Sequence, residues 1–249
     1  MKRIIDKIYE DGAVTGRSGA IHKLHSEIDS EEGQFLFRTI ENDPSVKRTL
    51  EVGCGYGLSS LHICAALSGR QGATHTIIDP FQNTQWDGVG TKNLEDAGID
   101  FFELVETKSE FALPRLLENG EGQYDFIFVD GWHTFDHALL DSFYATRLLR
   151  VGGYLTLDDA NWPSLNRVAS YLKNYPCYEV HDSLGDDWPN SQKKIAVRAL
   201  ISPVSTDTWK KVLHPSLHRR IFEKKSTRMI ALKKVAEDTR SWDWHADTF

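Results

Sequence analysis

The chain is poor in cysteine: Cys54, Cys64 and Cys177 lie far apart, with no CxxC pair among them. An odd number at such spacing excludes a disulfide framework and gives no thiolate zinc site, so all three read as small packed hydrophobes. No apolar run approaches the roughly 18 residues of a membrane helix, and the opening MKRIIDKIYEDGAV lacks the apolar stretch of a signal peptide. A cytoplasmic protein with no membrane partner is the expectation. There is no internal repeat, low-complexity tract or Pro-rich linker, which excludes fibrous and collagen-like classes. Basic residues are the minority, 29 Lys and Arg against 36 Asp and Glu, for a net charge of −7. That balance is a soluble enzyme's, and no nucleic-acid partner is expected. The ten basic and six acidic residues beyond position 201 make the C-terminal stretch locally positive, and a solvated helix face is the plain meaning of that.

What is present is enough apolar surface to fill a core. Hydrophobic residues make up 40% of the 249 and charged residues 26%, so one sizeable domain is expected. From residue 48 onward, short β-branched runs alternate with helical patterns. Strands are predicted at Arg48–Val52, Thr74–Asp79, Phe101–Val105, Tyr124–Asp130 and Gly153–Asp158, each ending in or near an acid. Helices are predicted at Leu58–Leu67, Gly90–Ala97, Ser109–Leu117, Phe135–Leu149 and Pro163–Tyr175. Near-continuous apolar strands between helices argue for a parallel α/β sheet covered on both faces, with ligands at the carboxyl ends of its strands. Cys177–Val180 and Lys194–Ala199 could close the sheet as an antiparallel pair. Residues 1–45 read as a flap or lid, GRSGAIHKLHSEID, followed by a helix over Ser30–Glu41 with Ser30 and Gln34 near its capping positions. Residues 46–201 form the body, and 202–249 a helical appendage of the same domain.

The sharpest motif is LEVGCGYGLSS, where a strand enters a helix through Gly53, Gly55 and Gly57. Glycines let the backbone turn tightly and let a ligand approach the helix N-terminus. The spacing is GxGxG rather than the GxGxxG of dinucleotide folds, and Glu51 precedes it, which suits S-adenosylmethionine better than a nicotinamide cofactor. A hydroxyl such as Ser59 would help the helix terminus hold a carboxylate. A turn used only for packing is the alternative. Asp79, at the end of the second strand, can accept hydrogen bonds from both ribose hydroxyls, and Ser109 can bond an adenine edge or simply cap its helix.

The second constellation is Asp130, Gly131, Trp132 and His133 at one strand end with Asp158 and Asp159 at the next. Crowded carboxylates raise one another's pKa unless a cation neutralises them, and Mg²⁺ with oxygen ligands is the economical solution. Such an ion lowers the pKa of a substrate hydroxyl, and His133 has the reach and chemistry of its base. In the alternative, Asp158 and Asp159 cap the next helix and His133 is a satisfied cleft histidine.

SEEGQFL, LEVGCGYGLSS, YDFIFVDGWH and GGYLTLDDANW, taken in order, resemble the class I SAM-dependent O-methyltransferases, of the metal-dependent catechol and caffeoyl-CoA type and the related sugar and macrolide enzymes. The likeness runs from Ser30 to Pro163, over half the chain. It implies a Rossmann-like class I methyltransferase fold, a mostly parallel seven-stranded sheet with helices on both faces. It implies that Glu51, Gly53, Gly55, Tyr56, Gly57 and Ser59 contact the methionine part of SAM, Asp79 its ribose, and Ser109 and Trp132 its adenine. It places the metal, Mg²⁺ or another divalent cation, on Asp130, Asp158 and Asp159. The Asp-Asp pair and His133 stand nearer the sugar methyltransferases than the catechol type, whose base is a lysine.

The expectation is therefore a Mg²⁺-assisted O-methyltransferase with a His133 base, acting on a hydroxyl of a sugar, glycoside or other small molecule. A metal-independent methyltransferase and a SAM-binding subunit without turnover stand as alternatives. A homodimer is the ordinary expectation for an enzyme of this size. Arg17, His22 and His25 in the flap read as closing over the cofactor or as surface residues. Trp162, Trp188, Trp242 and Trp244 read as a sugar platform or as packing. DPFQNTQW carries no chemical role beyond Asp79.

Overall fold

The structure is a computed structural model that describes residues 1–120, 123–187 and 225–246. A helix, α1 (Lys2–Asp11), and a small hairpin, β1 (Ala13–Thr15) with β2 (Ile21–Lys23), precede α2 (Ser30–Glu41). Then come β3 (Arg48–Val52), α3 (Leu58–Leu67), β4 (Thr74–Ile78), α4 (Val89–Asp96), β5 (Phe102–Val105) and α5 (Ser109–Glu118). The chain continues through β6 (Tyr124–Val129), α6 (Phe135–Leu148), β7 (Leu149–Leu157), α7 (Pro163–Leu172), β8 (Tyr178–Asp187) and β9 (Lys225–Lys234). The sheet runs β5-β4-β3-β6-β7-β9-β8. Its first five strands are parallel, and β9 pairs antiparallel with both β7 and β8.

Alternate residues of each central strand serve opposite cores, as the period of two requires. Phe126 and Phe128 of β6 pack with α2 and α3 through Phe35, Leu36 and Leu61. Ile127 and Val129 pack with α5, α6 and α7 through Leu113, Ala145 and Val168. Helix α3 is buried almost all round, so its apolar composition shows no stripe. The strand order reverses between β3 and β6, and that switch point opens a crevice at the carboxyl ends of both.

Three expectations are corrected. Residues 225–234 of the appendage expected to be helical are a strand inside the sheet, where Lys234 reaches Thr146 O near the end of α6 and Leu149 O at the start of β7. The partner of β8 is this strand; Lys194–Ala199 and Trp188 lie outside the described residues. The cap of α2 is Asp29, which accepts from the amides of Glu31 and Glu32 while Glu32 accepts from the amide of Asp29. No helix among the described residues is long and apolar enough to cross a membrane.

Candidate active site

A cavity of about 500 Å³ lies at the switch point. Its floor is the loop between β3 and α3. All three glycines there have left-handed φ, 88°, 50° and 78° at Gly53, Gly55 and Gly57. A Cβ on Gly53 would collide with the Asp130 carbonyl oxygen, and one on Gly57 would lie 2.7 Å from that of Gly90, whereas at Gly55 it would meet only Trp86, at 3.9 Å. Gly53 and Gly57 are therefore demanded by packing as well as by φ, while Gly55 faces open space.

Asp79, 3% exposed, lines this cavity and also holds the loop. Its Oδ2 accepts from the amides of Cys54 (3.2 Å) and Gly55 (3.1 Å) and from Gln82 Nε2 (2.9 Å); Oδ1 accepts from the amide of Phe81 (2.8 Å). Oδ1 keeps accepting capacity for a further donor. Gln82, fully buried, ties Gly55 O to the Gly90 amide, which gives DPFQNTQW a structural purpose the sequence did not reveal.

Gly53, Gly55, Tyr56, Ser59, Ser109 and Trp132 all line the cavity. Glu51 and Gly57 do not. Glu51 is fully buried, accepts from Ser60 Oγ and lies 3.1 Å from His75 Nε2, whose Nδ1 is 2.9 Å from Thr49 Oγ1. The acid before the glycines thus faces away from the cavity and anchors β3 to α3 and β4. Ser109 is the first residue of α5; Lys108 is its N-cap. Trp132, 57% exposed, stacks on His137 with centroids 5.4 Å apart.

The flap covers one side. Ser26, Glu27 and Ile28 line the cavity, and His25 packs on Tyr56 and Trp86. Arg17 pairs with Glu95 at 2.6 Å, and His22 and Ser18 bond Asp87. Arg17 fastens the flap to α4 and His22 to Asp87 just before it, and His25 alone of the three nears the cavity. Trp242 is 96% exposed, while Trp244 packs on Tyr171 and Tyr175, so neither forms a platform here.

The far end of the same cavity is acidic. Asp130 and His133 line it, and His133 Nε2 lies 3.4 Å from Asp130 Oδ1 and 3.0 Å from Asp159 Oδ2. Donating to these two carboxylates pushes His133 up to about 10, so the imidazole is held as a cation. Burial pushes Asp130 up to about 6 against the pull of His133. Burial, then the Asp130 and Glu32 charges, drive Asp158 well above the carboxylate range, and its Oδ1 is buried without a partner. Asp159 has φ 46°, a left-handed backbone that Asp tolerates better than most residues.

The N-cap of α7 is Trp162, with no side-chain cap, so Asp158 and Asp159 do not cap that helix. The structure brings Asp130, His133 and Asp159 into contact and sets Asp158 beside them. Among the described residues, no three His, Cys, Asp or Glu side chains form a ready metal cage.

Glu32 and Arg228 were missed in the sequence. Arg228, from β9, pairs with Asp29 at 2.5 Å and Glu31 at 3.0 Å, and its carbonyl accepts from the Ala160 amide at 2.7 Å. It thereby ties the start of α2 to the Asp158–Asp159 turn. Glu32 carries a capping-box signature within SEEGQFL, which is its only local signal; Arg228 has none.

The sequence profile of a family described as a methyltransferase domain matches residues 50–160. No curated protein is significantly similar to the chain. Among solved structures, an O-methyltransferase from Bacillus cereus in complex with SAH has a TM-score of 0.62 at 14% identity, covering 93% of this chain and 91% of that one. The O-methyltransferase TomG from Streptomyces achromogenes, in complex with SAM, gives 0.58 at 16%, covering 84% and 82%. A structure described as an O-methyltransferase from Klebsiella pneumoniae gives 0.60 at 16%, covering 94% and 89%. At these identities the likeness is one of fold. The matched domain spans the glycine loop and all three strand-end aspartates, and the chain has the fold of these methyltransferase structures.

Proposed function

We propose that this protein transfers the methyl group of S-adenosylmethionine to a hydroxyl of a small molecule, with a sugar or glycoside as the acceptor class, in the cytoplasm. One observation carries the reading: a single cavity runs from the glycine loop and Asp79 past Ser109 and Trp132 to Asp130 and His133. A donor bound along the loop and an acceptor beside His133 would meet inside it, and holding the two in line supplies much of the acceleration. That the Bacillus cereus and Streptomyces proteins were solved with SAH and SAM supports the choice of cofactor.

Mg²⁺ is proposed on Asp130, Asp158 and Asp159. The donor set suits a hard ion, and the buried Oδ1 of Asp158, without a hydrogen-bond partner, is an oxygen such an ion would satisfy. When bound, the ion supplies Lewis acidity that lowers the pKa of the acceptor hydroxyl. The chain's own part is proton handling. Asp130 and Asp159 aim the His133 ring through Nε2, and with a cation held on the carboxylates His133 would be the base for the hydroxyl proton. The Trp162 ring, 5.3 Å from that of His133 and half exposed, offers a flat apolar face beside the acceptor.

A second reading rests on the same ion pair. If His133 is the resident cation of the acidic cluster, transfer proceeds without metal. The test is methyl transfer from SAM to a panel of sugars and glycosides, read by mass spectrometry, with EDTA and with Mg²⁺ restored. The proposal expects activity that EDTA abolishes and Mg²⁺ returns. Activity indifferent to EDTA would favour the second reading, and no transfer to any hydroxyl would sink the O-methyl assignment.

A further inference from the structure

Among the described residues, the carboxylates that line the cavity are Glu27, Asp79, Glu110 and Asp130, and all but one are engaged. Asp79 accepts hydrogen bonds from Gln82 and the loop amides, Asp130 pairs with His133, and Glu110 Oε1 lies 3.9 Å from Lys108 Nζ. The remaining one is Glu27 of the flap, whose side chain has no ion pair or hydrogen bond among the described residues. An unpaired glutamate is ordinary on an open surface. On the wall of a cavity that takes a zwitterionic cofactor it calls for a cation.

The flap fixes where Glu27 stands. Before it, the Tyr56 hydroxyl of the glycine loop donates to Lys23 O (3.0 Å), and the His25 ring meets that of Tyr56 edge-on, with centroids 5.6 Å apart. After it, Ile28 is buried, its carbonyl accepts from the Tyr9 hydroxyl (3.0 Å), and Asp29 caps α2. Between these anchors Ser26 has φ 58°, a left-handed backbone that serine seldom adopts. Such a turn persists only where its surroundings hold it, and this one sets Glu27 into the cavity two residues from the ring that packs on Tyr56.

The methionine part of SAM carries a carboxylate and an ammonium on one carbon. The N-terminus of α3 and the Ser59 hydroxyl suit the carboxylate, and neither answers the charge of the ammonium. Glu51, the acid nearest the glycines in sequence, is buried and faces away. We propose that Glu27 pairs with the α-ammonium of the cofactor, so that the flap, and not the glycine loop, supplies the anion that selects an amino-acid tail. An ammonium donates and a carboxylate accepts, with charge on both sides of the bond. The proposal rests on the reading that this cavity takes SAM.

The experiment is calorimetric titration of full-length wild type, Glu27→Ala and Glu27→Gln with S-adenosylhomocysteine and with its deamino analogue, in which hydrogen replaces the α-amino group. S-adenosylhomocysteine has no sulfonium, so the ammonium is its cationic group. The wild type should prefer it over the analogue by about 10-fold, the scale of one charge-assisted hydrogen bond, and the preference should shrink at high salt. Glu27→Ala should bind S-adenosylhomocysteine about 10-fold more weakly and the analogue at least as well as the wild type does, because the like charge facing its carboxylate is gone. Glu27→Gln, which keeps an acceptor oxygen without the charge, should fall between. Glu27 is an exposed residue, so both variants are expected to fold, and coincident thermal melts check this. Equal weakening of both ligands in Glu27→Ala would assign Glu27 to the shape of the flap, and an undiminished preference in either variant would place the ammonium elsewhere. Each of these overturns the proposal. Wild type that binds neither ligand would remove the cofactor reading and this inference with it, whereas wild type that binds both equally removes only this one.

Discussion

The two ends of the cavity are built on opposite principles. At the glycine loop Asp79 accepts four hydrogen bonds, three from backbone amides and one from Gln82, which also braces the turn. At the ends of β6 and β7 the charges are under-satisfied, with two carboxylates on one histidine and Asp158 Oδ1 beside them unpartnered. A site that must be rigid before its ligand arrives is saturated by the protein itself. A site that must exchange protons and accept a cation is left short, and the fold offsets that cost in the saturated region and the two cores.

The largest effect that could break this contrast is at His133. His133→Ala should lower turnover by about 10² to 10⁴-fold, the range for loss of a general base, while S-adenosylhomocysteine affinity stays within about 3-fold. Comparable losses in both quantities would mean that the two ends do not act separately. Next come the glycines. Gly53→Ala introduces a collision with the Asp130 carbonyl at a left-handed φ and should destabilise the protein by about 3 kcal/mol or more. Gly55→Ala, with open space before it, should cost only about 1 kcal/mol. Chemical denaturation of the pair measures the difference.

Asp79→Asn removes the charge that gathers the loop amides and should weaken S-adenosylhomocysteine binding by about 30-fold, equivalent to about 2 kcal/mol. Unaltered affinity would show that the loop holds its shape without it.

Acid stability sharpens the contrast from a different side. His62, on α3 beside Gly33 of α2, is buried without a partner at Nε2, and burial depresses it to about 4. Its folded value lies below its unfolded 6.5, so the unfolded chain binds the proton first. The stabilisation is therefore complete above about pH 6.5 and is lost as the pH falls toward 4, by roughly 3 kcal/mol in all. Thermal melts from pH 7 to pH 4 should show that slope, and His62→Gln should flatten it. The smallest effect belongs to Arg17→Ala. It breaks a half-exposed pair with Glu95 and should cost under about 1 kcal/mol, less in high salt.

Much of the fold was legible because its signals are local. β3 and α3 fall on Arg48–Val52 and Leu58–Leu67 as the periodicity predicts, and α2 on Ser30–Glu41. The C-terminal strand was not legible. STRMIALKK is a short amphipathic run in basic surroundings, and it becomes a strand only because β7 and β8 offer it two edges across some forty to eighty residues of sequence. The glycine loop was readable because it announces itself by composition. Glu51 misled because an acid beside the glycines fits two geometries, and its Ser60 and His75 partners lie 9 and 24 residues away. Arg228 went unseen for the same reason: it matters through residues remote in sequence, and no spacing rule marks such a meeting.

The central claim is that the glycine-loop end of the cavity binds the methionine-derived cofactor independently of the acidic end. Titration calorimetry with S-adenosylhomocysteine, with and without Mg²⁺, on wild type and Asp130→Ala tests it most directly. The account predicts one-site micromolar binding to the wild type that Mg²⁺ changes little and that Asp130→Ala largely retains. No heat and no thermal shift for the wild type under either condition would contradict it, and the metal and base assignments at the other end would fall with it.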